Sequence, residues 1–165
     1  NFIMKAVDGA TTKHVISSQI HRIDVDTDVI IVSVGGNDLL QQAHLLGETD
    51  KEEIKRVVTE ARKTFYINYN NLLKSLVKTR IQCVVFTIYF GNFPYPENRI
   101  FQYAVDAFNG VIYYLCNKYK ASTININDVL NEASDFVNYI EPSTQGSKKL
   151  ADAILKKVHR VNKFF

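Results

Sequence analysis

The sequence predicts an α/β fold: a three-layer α/β/α sandwich around a parallel sheet, carried by a single domain. Three observations predict it. Residues 28–34, DVIIVSV, are β-branched almost throughout with no polar alternation, the pattern of a strand buried on both faces. Strand-like runs alternate with amphipathic helical runs along the whole chain, giving the order βαβαβαβα without repeats or low-complexity linkers. The 165 residues, 46 % of them hydrophobic, suffice for one core and do not call for two.

Each element follows from its local pattern. Phe2 to Val7 is a short apolar run and reads as a first strand. Gly9-Ala10-Thr11-Thr12 then supplies a turn and a helix cap ahead of Val15, Ile16, Ile20 and Ile23 at helical spacing. Asp28 to Val34 is the second strand, and because both its faces are apolar, helices are expected on both sides of the sheet. Between Lys51 and Lys78, Ile54, Val58, Ala61, Phe65, Leu72 and Leu76 recur every three or four residues, which predicts one long amphipathic helix or two joined ones. Ile81 to Tyr89 is the third strand. Arg99 to Tyr119 places Phe101, Val105, Phe108, Ile112, Leu115 and Tyr119 on one helical stripe, and Ser122 to Ile126 is a short β-prone run after it. Ser143 can cap a last helix that turns Leu150, Ile154, Val158 and Val161 inward.

Charge and composition exclude several classes of partner. The 20 basic and 17 acidic side chains are interspersed, so the net charge of +3 forms no stripe suited to a phosphate backbone, and no nucleic acid is expected. No apolar run reaches the roughly 18 residues of a membrane span. Cys83 and Cys116 sit in separate apolar runs and read as reduced core thiols, which favours a reducing, cytoplasmic setting. Asp24 to Asp28 begins like a calcium loop, but Val29 stands where that loop needs glycine and Gly35 where it needs glutamate. No metal and no cofactor is expected. A phosphate-cradling loop and an acidic cluster at the strand ends are both missing from the sequence, against a flavin-binding or receiver-type module.

In parallel α/β sheets, ligands lie beyond the carboxyl ends of the strands. There the second strand stops on Gly35-Gly36-Asn37-Asp38, where glycine allows a sharp turn and asparagine can present a neutral donor. The combination of VDGATT (Val7 to Thr12), DVIIVSVGGND (Asp28 to Asp38) and IEPSTQGSKKLADAI (Ile140 to Ile154) resembles the SGNH, or GDSL-type, hydrolases over nearly the whole chain. That resemblance implies a flavodoxin-like sandwich and an esterase or lipase acting on acyl or acetyl esters, with a small-molecule, lipid or carbohydrate ester as substrate. It assigns Gly9 and Asn37 as the donors, one amide and one side chain, that stabilise the oxyanion of acyl transfer. Asp38 is expected to hold the turn.

Two departures from the family pattern bear on catalysis. The family's nucleophile is the serine of a Gly-Asp-Ser block at the end of a strand before Gly9, and only eight residues precede Gly9 here. The expectation is therefore that the chain lacks an N-terminal strand and helix, with the serine upstream and the strand lying between Phe2 to Val7 and Val29 to Val34. Second, Asn138-Tyr139-Ile140-Glu141 stands where the family carries Asp-x-x-His, so Glu141 takes the place of the base. An ordinary glutamate titrates near about 4.3 and takes a serine proton poorly at neutral pH unless burial raises it. His44, a few residues after GGND, is an alternative base; His14, His21 and His159 read as helix-face residues. In TIYFGNFPYPENR (Thr87 to Arg99), Tyr89 and Phe93 are the expected substrate contacts, on a proline-stiffened loop that could line an acyl or sugar pocket. The competing expectation is a catalytically degenerate binding protein that keeps the cleft and has lost the Asp-His pair.

Overall fold

A computed structural model describes residues 1–161, apart from the side chains at positions 46 and 159–161. Three strands form one parallel sheet in the order β1 (Val29–Val32), β2 (Gln82–Phe86), β3 (Ser122–Ile124). Val29 pairs with Gln82 and Val32 with Val85, while Val84 pairs with Ser122 and Phe86 with Ile124. Side chains alternate between the two faces of a strand, so β1 and β2 each feed two cores. Ile30, Val32, Cys83 and Val85 join α3 (Lys51–Lys78) and α4 (Glu97–Tyr119). Val29, Ile31, Val84, Phe86 and Ile124 meet Leu150, Ala153 and Ile154 of α5 (Thr144–Val161). The sandwich predicted from unalternating strands is the one observed.

The thick core lies between α3 and α4. Phe65 stacks on Phe108 with ring centroids 4.4 Å apart, and Leu72, Leu73, Leu76, Ile112 and Leu115 are all buried. The 51–78 stretch is one unbroken helix of 28 residues, started by Asp50, whose Oδ1 accepts from the Glu52 amide at 2.9 Å. The helical run after Thr11 is less regular, an α turn (α1, Thr12–His14) passing into a π turn (Val15–Gln19) and a 3-10 turn (Ile20–Arg22). Among the described residues, no helix is long and apolar enough to cross a membrane.

The first expected strand does not form. Phe2, Ile3 and Met4 are 73, 59 and 67 % exposed and pair with no strand. Apolar, β-prone composition makes a strand only where a neighbour satisfies the backbone, and β1, the edge of the sheet, pairs on one side only. The other strands are shorter than their apolar runs because side chains take over the backbone beyond them. The Asn109 carboxamide, from α4, accepts from Ile88 N at 2.7 Å and donates to Ile88 O at 2.8 Å. Asn127 accepts from Phe90 N at 2.8 Å, and Thr87 Oγ1 accepts from Ile126 N at 3.0 Å.

The start of α5 is fastened by Ser143, whose hydroxyl donates to Ser134 O at 2.7 Å and accepts from Gly146 N at 3.1 Å. Gly146 leaves the Asp135 carbonyl the space that a Cβ would occupy. Asp135 is fully buried; its carboxylate accepts from the amides of Asn131 and Glu132 at 3.0 and 3.1 Å and pairs with Lys149 Nζ at 2.8 Å. The Lys149 ammonium, ahead of the two amides, holds this carboxyl below the ordinary aspartate value of 3.8. A carboxylate with a depressed folded pKa stabilises the fold fully above its unfolded pKa, and that contribution disappears as pH falls through the folded value. Lys149→Met is therefore expected to lower stability at pH 7, and the gap to the unmodified protein should narrow as pH drops below about 4. Urea unfolding at pH 7 and pH 3 checks this; an equal gap at both would assign the loss to packing of the lysine stem.

Candidate active site

The turn after β1 is shaped by Gly35. Its φ of 122° is open to glycine alone in practice, and a Cβ there would stand 3.0 Å from the Phe65 ring and 3.1 Å from Ile88 Cδ1. The chain then enters α2 (Gly36–Leu40), anchored by buried Leu39, with the Leu39 amide bonded to Gly35 O at 3.0 Å. This short helix turns Asn37 and Asp38 onto the Gly9-Thr12 segment. Asp38 Oδ2 accepts from Thr12 N at 2.8 Å and from Thr12 Oγ1 at 3.0 Å, and Asn37 Nδ2 donates to Ala10 O at 3.2 Å. The two motifs thus form one unit at the carboxyl edge of the sheet, and Asp38 holds the turn.

Burial raises the Asp38 carboxyl above its ordinary value, and the Thr12 amide and hydroxyl draw it part of the way back. Thr12 is itself wholly buried. Asp38→Ala would leave both Thr12 donors unpaired, so it is expected to cost about 3 kcal/mol, read as a drop in Tm of roughly 6 to 12 °C for a domain of this size. Asp38→Asn keeps an acceptor and should lose markedly less. Thermal melts of the two variants check this; equal losses would show that charge, not the acceptor, matters.

Gly9 lies one residue from the carbonyl that Asn37 holds. Its φ is 71°, it is exposed, and its amide donates to Asp8 Oδ1 at 2.8 Å. Asn37 keeps a second amide hydrogen free of the Ala10 bond. Between this unit and α3 runs a cleft of about 400 Å³, lined by Thr11, Asp38, Arg56, Glu60 and Asn68 over a floor of Phe65 and Phe108. That volume lies in the range of small-molecule sites.

The exit of β2 builds the neighbouring part of the same edge. Tyr89 Oη donates to Ile140 O at 2.5 Å, and the Asn92 amide donates to Tyr139 O at 2.7 Å. Gly91 makes this approach possible: its φ is 71°, and a Cβ would meet Tyr139 O at 2.5 Å. Phe93 lies between Phe101, 4.4 Å away, and Tyr139, 5.4 Å away, measured between ring centroids. Tyr89 and Phe93, the expected substrate contacts, thus bind the 87–93 loop to the segment that carries Glu141. Glu141 is exposed and held through its backbone, its amide donating to Asn138 Oδ1 at 2.8 Å and its carbonyl accepting from Val137 N at 2.8 Å. Asn138 Oδ1 also accepts from Ile140 N at 2.9 Å. Burial, with a smaller push from the Glu141 charge, raises the Tyr89 hydroxyl pKa.

The histidines stand elsewhere. His44 is exposed on the 3-10 turn Ala43–Gly47. His14 Nδ1 contacts Thr11 N and Oγ1 at 3.3 and 3.2 Å, at the start of α1, and His21 is exposed. The side chain of His159 lies outside the described residues. Sequence reasoning passed over Asn109 and Asn127, which hold the β2 exit. A signal existed for Asn109: a carboxamide within the apolar stripe of Val105, Phe108 and Ile112 must find a buried partner.

The model of the GDSL-like lipase/acylhydrolase family matches residues 1–149. The chain belongs to this family. Solved structures similar to this GDSL-like chain include a phospholipase A1 from Streptomyces albidoflavus NA297, at 16 % identity and a TM-score of 0.69, covering 90 % of this chain and 77 % of that one. An extracellular lipase from Streptomyces rimosus matches at 16 % identity and a TM-score of 0.61, over 81 % of this chain and 64 % of its own. The acetylxylan esterase Axe2 from Geobacillus stearothermophilus matches at 16 % identity and a TM-score of 0.64, over 91 % and 68 %. At these identities the likeness concerns the fold, which is that of SGNH hydrolases. The GDSL-like chain thus spans under two thirds of the Streptomyces rimosus lipase. No curated protein sequence matches it.

Proposed function

We propose that this GDSL-like chain hydrolyses carboxylic esters, with the Gly9 amide and the Asn37 side chain as oxyanion donors, Glu141 as base, and a serine nucleophile supplied from outside residues 1–165. The observation that carries the reading is the bond from Asn37 Nδ2 to Ala10 O at 3.2 Å, which sets the side-chain donor beside the Gly9 peptide at the carboxyl edge. The open edge of β1 is where a strand bearing that serine would add. The serine hydroxyl attacks the acyl carbonyl and its proton passes to Glu141. The oxyanion displaces Asp8 Oδ1 as acceptor of the Gly9 amide and takes the second hydrogen of Asn37. The tetrahedral adduct collapses with protonation of the leaving alcohol, and water repeats the sequence to release the acid.

One observation favours a second reading, an SGNH-fold binding protein without turnover. Asn138 Oδ1 is committed to the amides of Ile140 and Glu141 and does not orient the Glu141 carboxylate. A fluorophosphonate probe, followed by peptide mapping of the protein from its natural source, separates the readings. Labelling of a serine outside residues 1–165 is the expected result. Labelling of a serine within them, such as Ser33, would overturn the assignment of the nucleophile. No labelling, with no hydrolysis of acetyl, acyl or thioester substrates, would leave the binding reading.

A further inference from the structure

The solvent side of α4 is aromatic where a surface helix is usually charged. Arg99, Tyr103, Asp106, Gly110 and Tyr114 recur at spacings of three and four, and all five are exposed. Phe101, Val105, Phe108, Ile112 and Leu115 lie buried on the opposite side. Tyr103 is 45 % exposed, Tyr114 59 %, and Tyr95, just ahead of the helix, 73 %. Among the described residues, the side chains of Arg99 and Asp106 make no ion pair and no hydrogen bond. They do not reach each other, because seven residues set them about 10 Å apart along the helix axis. The positions three and four residues away are Tyr95, Pro96, Gln102 and Tyr103 for Arg99, and Gln102, Tyr103, Asn109 and Gly110 for Asp106, none of them charged.

We propose that this face of α4 is the interface with a second copy of the chain, laid antiparallel about a two-fold axis beside Tyr103. A two-fold interface is self-complementary: where residue i meets j, j meets i. The midpoint between positions 99 and 106 falls at 102–103, so Arg99 of each copy faces Asp106 of the other and the two Tyr103 rings meet at the axis. One operation thus satisfies both unpaired charges. The same register carries the 94–96 turn of each copy over Gly110 of the other, where nothing lies within 4 Å of the place a Cβ would take and Tyr95 finds room. At about 150 to 250 Å² per tyrosine, Tyr95, Tyr103 and Tyr114 at these exposures offer on the order of 350 Å², near half of the ~800 Å² each partner buries in an interface of standard size. Tyrosine is also enriched in such interfaces. With one cation and one anion, the face suits neither a polyanion nor an anionic lipid surface. The inference does not rest on the ester-hydrolase reading.

Sedimentation equilibrium of the natural protein at micromolar concentrations is expected to show a reversible dimer. Arg99→Asp and Asp106→Arg each set two like-charged pairs across the axis, and each should raise the dimer dissociation constant about tenfold or more. The double variant Arg99→Asp/Asp106→Arg restores opposite charges and should return the constant to within about threefold of the unmodified value. Both side chains are exposed, and thermal melts check that the variants fold. Tyr103→Cys gives a second readout should a charge variant fail to fold. It sets a thiol beside its own image, so mild oxidation is expected to yield a covalent dimer beyond any formed by the unmodified protein, whose Cys83 and Cys116 are buried. A monomer at every concentration, a dimer indifferent to both charge reversals, a double variant no better than the single ones, or no cross-link through Tyr103→Cys overturns the proposal.

Discussion

Glu141→Gln, made in the natural protein, is expected to lower kcat for a short-chain aryl ester by about a hundred- to ten-thousand-fold, the range that a positioned general base contributes. Glutamine matches glutamate in size and keeps hydrogen-bonding capacity, but its amide oxygen cannot take the serine proton. The fold should be untouched. The Glu141 hydrogen bonds run through its backbone amide and carbonyl, and its side chain is exposed. Steady-state kinetics with a thermal melt on the same sample checks both halves. Full activity in a folded Glu141→Gln would remove Glu141 from the mechanism and return attention to His44.

Asn37→Ala is expected to reduce kcat by roughly a hundred- to a thousandfold while KM moves much less, because an oxyanion donor acts on charge that develops only in the transition state. The substitution also removes the part-buried bond to Ala10 O, which joins α2 to the Gly9-Thr12 turn and contributes about 1 kcal/mol to stability. Asn37→Asp separates these effects. It abolishes the donor and places negative charge at the oxyanion, so it should be slower still than Asn37→Ala. An Asn37→Ala enzyme with kcat within a fewfold of the unmodified value would show that Asn37 only braces the Gly9-Thr12 turn.

Lys149 and Asp38 test the frame around the site by other means. Both concern carboxylates that few local patterns would single out. Asp135 lies fully buried in a polar stretch, ASDF, that reads as loop surface, and it becomes interior only because Gly146 lets the start of α5 close onto the 133–135 turn. The role of Asp38 was expected, since a carboxylate after a Gly-Gly turn has amides and hydroxyls within easy reach. Its partner Thr12, 26 residues earlier, was not read from the sequence and is brought to it only by the fold.

The local pattern by itself determined the sandwich, its three paired strands and the four main helical runs. These depend on periodicity: apolar side chains every second residue on both faces, or every three to four on one, can be buried in only a few ways. Pairing was different. Phe2 to Val7 has the composition of a strand and forms none, because a strand exists by virtue of a neighbour whose backbone it satisfies. The ends of β2 were likewise decided at a distance, by the carboxamides of Asn109 and Asn127, 21 and 39 residues from Ile88. Tyr89 and Phe93 could be read as aromatic, yet only tertiary packing set Tyr89 on the Ile140 carbonyl and Phe93 beside Phe101 and Tyr139. Burial of backbone and ring faces is a property of whole surfaces meeting, and a linear pattern records only what each residue brings to them.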